Sequence, residues 1–183
     1  MKSDFAFLAV AATLIGACQS TPPVRPVVQA ASAEQKQATL GRVKSLAGTW
    51  KVTGPKGDEN QTTAFTVGGG GSTVREVMFP GTAHEMTNMY HMDGQKIVCT
   101  HYCATGNQPR MTAPVTTLDA ASASNEPLCF KLEHVSNLRS PDESYMGEMW
   151  LTFKDANTVE QRWKSFKGDH LESDVIFTLT RLQ

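Results

Sequence analysis

The segment His84–Cys103, HEMTNMYHMDGQKIVCTHYC, decides the fold. Two runs rich in β-formers flank Asp93-Gly94, and a two-residue Asp-Gly link between such runs predicts an antiparallel hairpin with a type I′ turn. With Asp93 and Gly94 as the loop, His84 faces Cys103, Met86 faces His101, Asn88 faces Cys99 and Tyr90 faces Ile97. Side chains alternate along a strand, so these eight share one face. The opposite face carries Glu85, Thr87, His91, Lys96 and Thr100. An antiparallel sheet with one wet side turns such polar residues outward. The face with His84, Met86, His101 and Cys103 is therefore expected inside.

The same period of two recurs on both sides of this hairpin. Strands are predicted at Trp50–Thr53, Thr62–Val67, Thr73–Phe79, His84–Met92, Gln95–Cys103, Arg110–Thr116, Leu128–His134, Tyr145–Phe153, Thr158–Ser165 and Asp174–Arg181. Gly54-Pro55-Lys56-Gly57, Gly68–Gly71, Lys154–Asn157 and Lys167-Gly168-Asp169 punctuate them. Short strands joined by tight turns predict an all-β protein, an antiparallel up-and-down barrel of about 8–10 strands. Ser32 and Gln35 have capping-box spacing, and Leu40, Val43 and Ala47 then share a helical face, so a short N-terminal helix is expected over Ala33–Leu46. No second long helical pattern interrupts the strands, which argues against a βαβ fold. Trp50, Trp163 and the Val175, Phe177, Leu179 row are expected in the core, and the Ala/Ser/Thr-rich stretch Ala113–Pro127 reads as a mobile loop.

The first residues carry a different signal. Phe5–Gly16 is apolar and uncharged, too short to span a bilayer and shaped like a secretory signal. Ile15-Gly16-Ala17-Cys18 resembles the bacterial lipobox, in which the peptide bond before the cysteine is cut and its thiol acylated. Residues 1–17 are read as a lipoprotein signal peptide. Residues 18–32, with Pro22, Pro23 and Pro26, are a lipidated tether, and residues 33–183 are the barrel. Gln19 after the cysteine, where Asp would signal retention at the inner membrane, points to the outer membrane. The expected location is the cell envelope, lipid-anchored at Cys18, on the periplasmic face of the outer membrane.

The 183 residues contain 17 Lys+Arg against 18 Asp+Glu, and a chain without a basic face gives no support to a nucleic-acid partner. A charged fraction of 19% excludes a polytopic membrane protein and a wholly disordered chain. One domain and a monomer are expected.

Leu46-Ala47-Gly48-Thr49-Trp50, entering the first strand after a short helix, resembles the Gly-x-Trp start of lipocalins and other calycins. Arg181 matches the arginine that closes their barrel across that tryptophan. The segments Phe79–Met86, Met89–Gly94, Thr100–Cys103 and Gly106–Met111 resemble a group of bacterial lipocalin-like lipoproteins of unknown function, over about Val43–Arg181. That group supplies no activity to transfer. Ten strand candidates without a helix after the barrel also resemble nitrobindin, whose haem-site motifs are not evident here.

Three arrangements could carry chemistry. His84, Met86, His101 and Cys103 would form a cross-strand square with directly opposed Cβ atoms ~5 Å apart, and imidazole, thioether and thiolate together suit Cu(I) or another soft metal. The plainer reading makes them barrel wall. Asn88, Arg110 and Gln161, with His84, Met86 and His101, could supply polar contacts to a small ligand. Asn107 and Gln108 could join Arg110 in holding a polar headgroup. Cys99, Cys103 and Cys129 leave at least one thiol free in an oxidising compartment, and Cys99 and Cys103 lie about 13 Å apart along one strand, too far to bond. Gly68–Gly71 lacks the Lys-Ser/Thr and helix of a phosphate loop. No nucleophile with its base is recognisable, since His101 and Cys103 lie about 7 Å apart on one strand. The sequence therefore names no reaction, and no enzyme is expected. The leading expectation is an envelope lipoprotein whose barrel binds a small, mostly apolar ligand. A periplasmic metal- or haem-binding barrel and a ligand-free structural lipoprotein are the alternatives, and the cofactor is left open.

Overall fold

The structure, a computed structural model, describes residues 26–55, 61–116 and 126–182. The signal peptide, Cys18, most of the tether and the centre of the 113–127 loop lie outside the described residues. Ten strands follow one helix: β1 (Gly48–Thr53), β2 (Gln61–Gly68), β3 (Thr73–Met78), β4 (Met86–Asp93), β5 (Lys96–Tyr102), β6 (Gln108–Pro114), β7 (Leu128–Ser136), β8 (Ser144–Asp155), β9 (Thr158–Lys167) and β10 (His170–Arg181). Each pairs antiparallel with its neighbour in sequence, and β1 pairs with β10 to close the barrel. Closure leaves no free outer edge.

The helix runs over Ala33–Lys36, Gln37–Gly41 and Arg42–Lys44, its middle turn widened to the π type. Ser32 opens it with the expected capping box. Val43 and Leu46 are buried beside Trp50 and plug one end of the barrel. Trp50 donates from Nε1 to the Leu46 carbonyl at 2.7 Å, and the Arg181 guanidinium lies 4.2 Å from its ring centroid. The helix, the β4–β5 turn and the end of β10 share this end, because Gln95 bonds Ala30 and Arg181 bonds Ser45 and Ala47. The β3–β4, β5–β6 and β9–β10 connections lie at the other.

The central hairpin differs from the sequence expectation by one position in its turn. Asp93 pairs with Lys96, Tyr90 with Cys99 and Asn88 with His101. The loop is Gly94-Gln95, with Gly94 at φ 59° and Gln95 at negative φ. Positive φ at the first loop residue alone matches a type II′ turn rather than type I′. Moving the loop by one residue preserves which side chains share a face, so the inward face stands while every partner changes. β4 also begins later than expected, at Met86, which leaves His84 outside the strand.

Candidate functional site

Four inward rows show how the interior changes along the barrel. β3 presents Val74, Glu76 and Met78; β4 presents Tyr90, Asn88 and Met86; β5 presents Cys99 and His101; β9 presents Val159, Gln161 and Trp163. On β3, β4 and β9 an apolar or weakly polar residue near the helix gives way to a polar one at mid-barrel, then to one lining a cavity at the far end, and on β5 His101 is both the polar and the cavity-lining residue.

Glu76 is fully buried at the centre. Its Oε1 accepts from Thr63 Oγ1 at 3.0 Å and Gln161 Nε2 at 2.8 Å. Its Oε2 accepts from Asn88 Nδ2 and Tyr90 Oη, both at 2.8 Å. Burial raises the carboxyl pKa, and these four donors oppose the shift. The arrangement fixes Asn88: its nitrogen faces Glu76, so its oxygen faces His101 Nδ1, 2.7 Å away. An amide oxygen only accepts, so Nδ1 carries the hydrogen and Nε2 is a bare lone pair. This tautomer holds whether Glu76 is ionised or not, because a proton on the carboxyl could be donated to the Thr63 or Tyr90 hydroxyl.

His101 is 1% exposed, and burial lowers its pKa to about 4. Its ring lies 5.1 Å from that of Trp163. Both rings line a cavity of about 110 Å³ walled by Met78, Met86, Met146 and Phe177. Among the described residues, His101 Nε2 and Trp163 Nε1 are buried without a partner. Phe79, also at the wall, has φ 54°, a rare conformation for a bulky residue. Its N–H donates to Thr62 O, and its carbonyl accepts from Thr82, which hold it there.

The sequence-predicted residues separate on this geometry. Met86 and His101 line the cavity. Asn88 and Gln161 are inside, bonded to Glu76, with Asn88 acting on the cavity through His101. His84 is exposed in the turn before β4, and Cys103 follows the end of β5, half-buried. The soft-metal square therefore does not converge: the register and the late start of β4 place His84 outside the barrel. Among the described residues no three His, Cys, Asp or Glu side chains group as for a metal ion. Arg110 lies on the outer face, bonded to Glu133 at 2.6 Å and Asp93 at 2.7 Å. Asn107 ties its loop to Glu143 and Ser144, and Gln108 bonds the Gly106 carbonyl, so both are struts. Cys99, Cys103 and Cys129 are free thiols.

No family model matches the sequence, and no curated protein is similar to it. Among solved structures, EF1p2_mFAP2b bound to DFHBI aligns over 76% of this chain and 96% of that one, at 14% identity and a TM-score of 0.30. The functional reading of the site rests on its own geometry.

Neutral His101 makes stability depend on pH. Its folded pKa lies below the unfolded value of 6.5, so its contribution is full above pH 6.5 and is lost as pH falls through about 4. Between pH 7 and pH 5 the loss is about 2 kcal/mol. Glu76, with a raised pKa, acts in the opposite sense. Urea unfolding of the parent and His101→Asn at both pH values isolates the histidine: the parent should lose about 2 kcal/mol more than the variant. Equal losses would show that His101 titrates normally.

Proposed function

We propose that this barrel binds a small, mostly apolar molecule in the cavity opposite the helix, and that it does so as an envelope lipoprotein anchored through Cys18. The observation that supports binding is the cavity itself. Its walls are carbon and thioether apart from Ser173, whose hydroxyl lies 2.6 Å from that of Ser165, yet two buried polar nitrogens lack partners among the described residues, and a buried group left so costs ~1–3 kcal/mol. An occupant that offsets this cost is the simplest physical reason to keep them. Three methionines give the wall adaptable shape, as suits a site that closes around a guest. The strained Phe79 backbone is of the kind that clusters at ligand clamps. A cavity of about 110 Å³ is far smaller than the ~300–1,000 Å³ of drug-sized sites, so the occupant is about one ring in size. An engineered apolar cavity of ~150 Å³ holds benzene.

Saturation-transfer NMR with toluene tests the cavity. The parent should give a signal, and Val175→Phe, which fills the wall from β10, should abolish it. No signal from the folded parent would sink the binding reading. The anchor is tested separately, by metabolic labelling with a fatty-acid probe: Cys18→Ser should lose the label, and equal labelling would refute acylation at that residue.

A further inference from the structure

Resting on that reading, we infer that the occupant carries a hydroxyl group on its small apolar body, phenol being the simplest example, and that His101 Nε2 accepts its proton in a hydrogen bond while Trp163 Nε1–H donates to it. The two nitrogens are opposite in character. Glu76 and Asn88 together fix His101 as the Nδ1–H tautomer, so its Nε2 can only accept. Met78 Sδ, 3.3 Å from Asn88 Nδ2, is a second acceptor on the nitrogen side of that amide and reinforces its orientation. Indole Nε1 can only donate. A ligand that satisfies both must offer one donor and one acceptor, and a hydroxyl is the smallest group that is both. An ether or ketone leaves His101 unpaired, and a hydrocarbon leaves both nitrogens unpaired.

Charge narrows the class further. His101, with its pKa near 4, is neutral at pH 7 and cannot pair with an anion. Among the described residues no lysine or arginine lines the cavity. A carboxylate or phenolate would enter an apolar site without a counter-charge, which is strongly unfavourable. The ligand is therefore a neutral alcohol or phenol.

The test compares phenol, anisole and toluene on the full chain at pH 7, with dissociation constants from NMR titration. Phenol should bind about tenfold more tightly than toluene, the effect of one to two net hydrogen bonds, and anisole should fall between them or below. Trp163→Phe keeps an aromatic wall and removes an N–H that has no protein partner. It should lower the ratio of phenol affinity to toluene affinity several-fold, whatever the added space does to both. In imidazole ¹⁵N spectra, His101 Nε2 should appear as the unprotonated nitrogen, and its resonance should move with phenol but not with toluene. Equal affinities for phenol and toluene would overturn the hydroxyl inference and leave the cavity reading intact. Failure of all three to bind would overturn both. Stoichiometric Cu(I) uptake lost in Met86→Leu, without phenol binding, would overturn both in favour of a soft metal held by thioethers and His101.

Discussion

Replacing Glu76 by alanine should destabilise the barrel by about 3–5 kcal/mol, whereas glutamine at the same position should cost about 1 kcal/mol or less. Four donors converge on the carboxylate, but they do not lose equally when it goes. Thr63 Oγ1 retains the Val77 carbonyl at 3.1 Å, and Asn88 Nδ2 retains Met78 Sδ at 3.3 Å. Tyr90 Oη would keep only its contact with the Cys99 thiol, and Gln161 Nε2, which has no other bond among the described residues, would be left unpaired in the interior, beside the void of the missing side chain. Glu76→Gln differs because Gln161 Oε1 has no partner among the described residues. The new amide oxygen keeps Asn88 and Tyr90. The new amide nitrogen can donate to Gln161 once that side chain turns its oxygen inward, and to the Thr63 hydroxyl. Urea unfolding at pH 7 measures both variants. Glu76→Ala within 1 kcal/mol of the parent would show that the carboxylate is not the centre of the network. Because Glu76→Gln preserves the orientation of Asn88, it should also preserve the His101 tautomer and phenol binding.

The fold was legible because alternation and turn chemistry act locally. All ten strands follow from period-two runs between glycine, proline and asparagine turns, and the helix start follows from Ser32 and Gln35. The pairing of Trp50 with Arg181 was visible through resemblance, and the two residues are cross-strand partners at the barrel's seam. The site was only partly legible. His101, Met86, Asn88 and Gln161 could be placed inward by parity, which survives a shift of the turn. Partners do not survive it, so His101 was set against Met86 when it lies opposite Asn88. Glu76 was missed although Val74, Glu76 and Met78 form one alternating face, with Arg75 and Val77 on the other. A carboxylate in an otherwise apolar row signals a buried network, but its partners Gln161 and Tyr90 lie 85 and 14 residues away, and no local pattern brings them together. Arg110 illustrates the converse. It was expected to contact a ligand, but it alternates with buried Pro109 and Met111 and so lies outside, where Glu133 and Asp93 hold it. The cavity itself depends on which residues from β3, β4, β8 and β10 fail to fill one end, a property of the closed barrel that no segment carries alone.

Trp50→Ala should cost about 3–5 kcal/mol and lower the melting temperature by roughly 6–20 °C. Trp50 is fully buried and stands edge-on to Phe65, with centroids 6.5 Å apart. Truncation removes that ring packing, leaves the Leu46 carbonyl without its indole donor, and takes away the surface on which the Arg181 guanidinium rests. The arginine does more than cover the ring. It donates to the carbonyls of Ser45, Ala47 and Ala156, tying the helix end and the β8–β9 turn to the last strand. Those three bonds need a planar fork of donors, which lysine lacks. Arg181→Lys should therefore destabilise even with Trp50 intact, and Trp50→Phe should cost less than Trp50→Ala because it keeps an aromatic platform. A double-mutant cycle between Trp50→Ala and Arg181→Met separates the shared part, with a coupling of about 0.5–2 kcal/mol expected for the cation–π contact. Zero coupling would mean that the arginine acts only through its carbonyl bonds. Full stability in Trp50→Ala would mean that the helix plug, with Val43 and Leu46, closes this end without it.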